Sequence, residues 1–190
     1  MQIKLYSYWR SSASWRIRIV LNHKSIPHEI IPINLLKGEQ RGDAYLAVNP
    51  AGLVPAVDID GEIILESPAI MEMLEELHPK CPLLPKDPMA RAKVRSIMNI
   101  ICCDIHPVQN LRVIKYAGLE QVLQKTVGKY CFGDDVTLAD VCLVPQVFNA
   151  KRWGVDMSRF PIIAGIDERL SELEAFQLAL PSAQIDATSD

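Results

Sequence analysis

The stretch HPKCPLLPKDP, residues 78–88, carries four prolines. No helix or sheet interior tolerates that density, because each ring fixes φ and removes a backbone donor. It cuts the chain into two halves with different periodicities. Residues 1–79 mix strand and helix signals, residues 80–87 read as a linker, and residues 88–190 are helical almost throughout.

In the first half, residues 2–8 (QIKLYSY) alternate apolar and polar, and residues 28–33 (HEIIPI) form a second β-rich run. Between them Ala13, Ile17, Val20 and Leu21 share one helical face. The alternation of Trp15, Ile17, Ile19 and Leu21 with polar residues also allows a strand, but the serines before the run are good N-caps and its length suits a helix. A short helix is expected over Gly42–Val48. VPAVDI and EIILE flank Asp60-Gly61, a hairpin signal. Glu66-Ser67 opens a helix with Pro68 at its first position, where a missing N–H costs nothing. In the second half Asp87 and Thr137 are caps, and T-L-A-D forms a capping box with Asp140, read as structural. The polar tail from Pro181 is expected to fray. The order βαβ, α, ββ, α followed by helices predicts a small α/β domain joined to an all-α one.

Composition narrows function. The 190 residues are 49% hydrophobic and 23% charged with net charge −3, so nothing recommends nucleic acid as a partner. No apolar run approaches the length of a membrane helix, and a cytoplasmic protein is expected. Five cysteines (Cys81, Cys102, Cys103, Cys131, Cys142) contain no C-x-x-C pair, and the four histidines share no ligand spacing with them. Neither a disulfide framework nor a metal site follows. The first strand-to-helix turn reads RSSASW, without a thiol, which removes thioredoxin-type redox chemistry.

YSYWRSSASWRIRIVL, INLLKGEQ, NPAGLVPAVDIDG, LESPAIMEML, HPVQNLRV and GDDVTLADVCLVPQVFNAKRWGVD together resemble the zeta class of glutathione transferases, the family of maleylacetoacetate isomerase. The resemblance covers nearly the whole chain. It implies the cytosolic glutathione transferase fold: an α/β thioredoxin-like N-terminal domain that binds glutathione, an all-α C-terminal domain that completes the pocket, and a homodimer.

Residue by residue, the match makes Ser11 the catalytic hydroxyl, with Ser12 beside it and Arg16 as a third catalytic candidate. A hydroxyl at that corner caps orphan N–H groups where the helix dipole favours negative charge, and an O–H donated to sulfur favours thiolate over thiol. From the residues alone the serines could equally be helix caps. The run Ser11, Ser12, Ala13, Ser14, Trp15 and Arg16 matches the glutathione-binding stretch, and Gln40 a further contact. Val54-Pro55 matches the turn where the fold carries a cis proline, which presents the Val54 backbone to the tripeptide. Glu66 and Ser67 match the pair that grips the γ-glutamyl end. His106, Asn110, Leu111 and Arg112 match a pocket-lining segment. Arg16 and Arg152 are candidates for the carboxylates of a small electrophile, since guanidinium binds carboxylate through two parallel bonds. Arg16 is alternatively a surface helix residue.

Three positions depart from the family. Ala13 stands where a cysteine is usual, and His106 where a glutamine is usual. After the helix expected to end near Tyr116, about twenty residues (roughly five helical turns) are missing, and Ala117-Gly118 runs directly into Leu119. The resemblance implies glutathione-dependent cis–trans isomerisation of maleylacetoacetate in tyrosine and phenylalanine breakdown, with transferase and α-haloacid dehalogenation side activity. A transferase for another electrophile, or a non-catalytic glutathione-fold binding module, are the alternatives.

Overall fold

The opening alternation becomes β1 (Ile3–Ser7), with Ile3, Leu5 and Ser7 buried and Lys4 and Tyr6 half-buried. The computed structural model describes residues 1–108 and 112–188, and of residues 108 and 112–115 the backbone alone. The chain forms two units: Met1–Pro79 with Ala175–Asp190, and Lys80–Glu174.

In the first unit α1 (Ser12–His23) links β1 to the parallel β2 (Glu29–Pro32). A short α2 (Asp43–Leu46) precedes the hairpin of β3 (Ala56–Ile59) and β4 (Glu62–Leu65), and α3 (Ser67–Leu77) follows. The sheet order is β2-β1-β3-β4, with β3 antiparallel to both neighbours. Asp60 and Gly61 both take positive φ, 51° and 97°, which the Asp-Gly turn requires. Helices α1 and α3 pack together through a core that includes Ile17, Leu21, Ile70 and Leu74. Tyr6, which strand alternation turns to the face opposite Leu5, meets the ring of Tyr45 at 5.8 Å. At the far end of α1 the Lys24 ammonium lies 2.7 Å from the Glu75 carboxylate, both side chains buried, and donates to the His78 carbonyl at 2.8 Å. Both charges are therefore paired, which a dry site demands.

Two expectations need correction here. Through residue 188 the tail packs rather than frays, and residues from Ala175 onward belong to the first unit, not the helical half. Phe176 and Ala179 are buried, Asn22 Nδ2 donates to the Ala175 carbonyl at 3.4 Å, and the Trp9 N–H donates to Asp186 at 3.0 Å. These partners are all in the first unit, so residues 175–188 are held by α1 and by the chain just past β1.

The second unit is built around α6 (Leu138–Arg152), buried on nearly every side from Leu138 to Val147. A helix apolar all round must be central. Helices α4 (Pro88–Asn99) and α7 (Pro161–Ser171) pack on it, and α4 continues as a π-helical segment, Ile100–Ile105. The proline-rich linker belongs to this unit: Leu83 and Leu84 are buried, and the Leu83 carbonyl accepts the Leu138 N–H at 2.9 Å. The capping box forms as expected. Asp140 accepts from the Thr137 N–H and hydroxyl, both at 2.8 Å, and also from the Cys131 N–H at 2.9 Å. Burial pushes the Asp140 carboxyl up from its usual range, and these three donors pull it back.

The helix expected to end near Tyr116 does not. Helix α5 (Arg112–Leu123) runs unbroken through Ala117, Gly118 and Leu119. Tyr116, Leu119 and Leu123, at i, i+3 and i+7, are all buried, so one continuous face outweighs the glycine. One residue past the junction face, Glu120 accepts from the Ile162 and Ile163 N–H groups at 2.8 and 3.1 Å. It supplies the first turn of α7 with a cap that Phe160 cannot provide.

A Cβ built on Gly118 meets no atom within 4 Å. Gly118→Ala should therefore stabilise the protein by about 0.5–1 kcal/mol, raising Tm by roughly 1–4 °C. Thermal and urea denaturation measure this, and an unchanged or lowered stability would show that α5 is not a plain helix at that position.

Candidate active site

Between the end of β1 and the start of α1 the chain turns through Tyr8, Trp9 and Arg10. Ser11 is the N-cap of α1, with φ −70° and ψ 117°. Its N–H donates to the Tyr8 carbonyl at 2.9 Å, its carbonyl accepts the Trp15 N–H at 2.9 Å, and its Oγ accepts the Ser14 N–H at 3.2 Å. The oxygen is thus committed as a cap, and the hydroxyl hydrogen is left to donate. No acidic residue stands in the first turn to oppose an anion. Ser11, Ser12 and Ala13 are half-buried and Ser14 is buried.

The turn is fixed from below by Arg18, a residue that periodicity alone places on a polar face. It is buried, as is every residue from Ser14 to Leu21. Its Nη1 donates to Ser7 Oγ at 3.1 Å and the Tyr8 carbonyl at 3.4 Å, its Nη2 to the Trp9 carbonyl at 3.0 Å, and its Nε to the Ala179 carbonyl at 3.1 Å. Burial lowers its pKa to about 10, against the raising effect of Asp186. The guanidinium remains charged at neutral pH.

Arg16 is also buried, so the surface-residue alternative is excluded. Its Nη1 donates to Ser67 Oγ at 3.2 Å, joining the serine corner directly to the Glu66-Ser67 motif. Its Nε and Nη2 are buried without a hydrogen-bond partner among the described residues. A buried cation with unused donors beside a helix N-terminus suits an anionic ligand group. Ser67 is the first residue of α3, and Glu66 before it is exposed and held at φ 68°, ψ 118°. That conformation is strained for any residue with a Cβ, and such strain persists where surrounding structure enforces it.

The third wall is the loop before β3. Val54-Pro55 is cis, as expected. The Leu53 carbonyl accepts from both the Tyr45 hydroxyl and Asn49 Nδ2. Burial pushes the Tyr45 hydroxyl up to about 12, so it stays a donor. Gly52, at φ 63°, lets this loop close on the Gln40 backbone: an added Cβ would stand 3.0 Å from the Gln40 carbonyl. Gln40 Oε1 is itself buried without a partner among the described residues. Ser11, Arg16, Gln40, Val54, Glu66 and Ser67 all belong to the first unit, and its orphaned donors and acceptor fit a zwitterionic peptide such as glutathione.

The remaining candidates lie in the second unit or outside the described residues. His106 is half-buried just after the π-helical segment. Asn110 and Leu111 fall outside the described residues, as does the side chain of Arg112. Arg152 is exposed in the last turn of α6, its guanidinium 5.7 Å from the Trp153 ring centroid.

The glutathione S-transferase N-terminal domain family matches residues 10–77. Fold and corner together define a glutathione transferase. The maleylacetoacetate isomerase of Mus musculus is 48% identical over 206 aligned positions, covering 98% of this chain and 95% of that protein. A bacterial maleylpyruvate isomerase of the zeta class superposes with a TM-score of 0.89 at 39% identity, over 97% of this chain and all of that one. The maleylacetoacetate isomerase of Anaeromyxobacter dehalogenans, with glutathione bound in its active site, gives a TM-score of 0.87 at 37% identity over 98% of each chain. The chain belongs to the zeta class of glutathione transferases, the maleylacetoacetate isomerase family. The mouse alignment is longer than this chain's 190 residues, so part of the relative has no counterpart here.

The strain at Glu66 is measurable. Glu66→Gly should be more stable than Glu66→Ala by about 1 kcal/mol, the reverse of the order at unstrained positions. Urea denaturation of the two variants decides it, and an alanine variant as stable as the glycine variant argues against strain.

Proposed function

We propose that this chain catalyses the glutathione-dependent cis–trans isomerisation of maleylacetoacetate. The observation that carries the reading is Ser11: its Oγ accepts the Ser14 N–H at 3.2 Å, which polarises the hydroxyl and leaves its hydrogen to donate. Bound glutathione supplies a thiolate nucleophile that adds reversibly to the activated double bond, so that rotation can occur before the alkene is restored. Ser11, at the positive end of α1, holds the proton balance toward that thiolate, with Ser12 beside it. Ser67 and the α3 N-terminus receive the γ-glutamyl carboxylate, Glu66 its ammonium, and the Val54 backbone the cysteinyl unit. The burial of Arg16 and its bond to Ser67 support a role for its cation toward the γ-glutamyl carboxylate. Arg152, exposed, is the cation for the substrate's carboxylate.

The class carries the further reading of a cytoplasmic homodimer with transferase and α-haloacid dehalogenase side activity. The shortened α5 region favours one competing reading, a transferase for a different electrophile. Turnover of maleylacetone against that of a chloronitroaromatic separates the two.

Ser11→Ala should raise the pKa of the bound glutathione thiol by about one unit or more and cut kcat on the order of 10²-fold, while the glutathione Kd changes far less. Thiolate absorbance against pH and steady-state kinetics provide both readouts. A variant with wild-type turnover would remove Ser11 from the reaction. Ala13→Cys should leave the thiolate titration where it is.

A further inference from the structure

The second unit holds a sulfur pair that thiolate chemistry at Ser11 does not use. Cys102, in the π-helical segment, and Cys142, on α6, stand 40 positions apart in sequence with their Sγ atoms 3.5 Å apart. All five cysteines are thiols in the structure. Cys102 is half-buried and Cys142 fully buried, while Ile101 and Ile105 on either side of Cys102 are buried and hold the segment in place. The segment and α6 pack side by side. Covalent S–S separation is about 2.05 Å, so closure needs an approach of about 1.5 Å, within reach of side-chain rotation. A π-helical turn inside a helix is itself an uncommon feature that often marks a functional position.

We propose that Cys102 and Cys142 are a reversible dithiol–disulfide pair that exchanges with glutathione disulfide. Exposure sets the order of events. The Cys102 thiolate attacks one sulfur of glutathione disulfide, breaking that S–S bond. One glutathione thiolate leaves and takes up the proton that Cys102 released. Cys142, inaccessible to a tripeptide disulfide, then loses its proton and attacks Cys102 Sγ. The protein disulfide forms, and the second glutathione leaves with that proton. Two electrons pass from the protein to glutathione disulfide, and excess glutathione reverses both steps. Cys103 is exposed but points roughly a quarter turn away around the helix, so it is the internal control. The cross-link ties the π-helical segment at Cys102, four residues before His106, to the central helix of its unit.

The test uses the full chain, equilibrated in glutathione-disulfide-rich and glutathione-rich buffers, quenched with acid, alkylated, and read by intact mass and peptide mapping. In the oxidising buffer two thiols should escape alkylation, with one peptide pair joined through Cys102 and Cys142. Tm should rise on the order of 5–10 °C, because a long loop is closed in the unfolded chain. Excess glutathione should restore both thiols. Cys103→Ser should behave as the parent, and Cys142→Ala should stop at a glutathione adduct on Cys102 without the gain in Tm. If Cys102 and Cys142 both remain alkylable, or glutathione settles only on Cys81 or Cys103, the two sulfurs are core packing and the proposal is wrong.

Discussion

The site depends first on one buried cation. Arg18 reaches from the middle of α1 to four acceptors: Ser7 Oγ and the carbonyls of Tyr8, Trp9 and Ala179. Three of these lie on the few residues that carry the chain from β1 to Ser11, so the position of the N-cap is set by a guanidinium beneath it. Desolvation works against the charge and lowers the pKa to about 10, yet five donors in a planar fork can satisfy several carbonyls at once. A lysine, with one nitrogen, could not span the same set. The fourth acceptor explains why residues 175–188 are ordered with the first unit: their backbone completes the cation's shell.

Much of this was legible in the sequence, and the misses share a cause. Strand alternation, the Asp-Gly hairpin, Pro68 at a helix start and the Thr137–Asp140 capping box are local signals, and each appears where the local rule puts it. The RSSAS motif identified the corner. What the sequence concealed was long-range. Arg16 and Arg18 read as a polar helix face, because periodicity cannot see partners such as Ser67 or Ala179, 51 and 161 residues away. The tail looked polar and loose for the same reason. Within α5, Gly118 costs about 1 kcal/mol on propensity, but burial of Tyr116, Leu119 and Leu123 contributes several times that.

The first unit treats its charges in two ways. At the C-terminal end of α1, Lys24 is matched by Glu75 and a backbone carbonyl, which is what stability alone requires. Elsewhere in this unit, among the described residues, Arg16 keeps two buried nitrogens without partners, Gln40 a buried oxygen, and Glu66 a strained backbone. Each feature lowers stability, and on the proposed reading a ligand carboxylate and ammonium would satisfy the orphaned nitrogens and oxygen. Cost concentrated in this way is the physical signature of a preorganised binding site.

On the proposed reading, activation of the thiol and choice of electrophile rest on separate parts of the chain. Every group proposed to ionise or orient glutathione belongs to the first unit, whose corner departs from the family only at Ala13. The larger departure, the shortening at Ala117-Gly118, lies in the second unit. There Glu120, just past the junction, still caps α7, and Leu119 and Leu123 still fill the core, so the shortening is absorbed by the packing of α5 rather than passed on to α6 and α7. If, as proposed, the nucleophile is generated by a helix N-terminus and a hydroxyl, neither of which α5 supplies, loss of that segment bears on which electrophile is accepted before it bears on whether a thiolate forms.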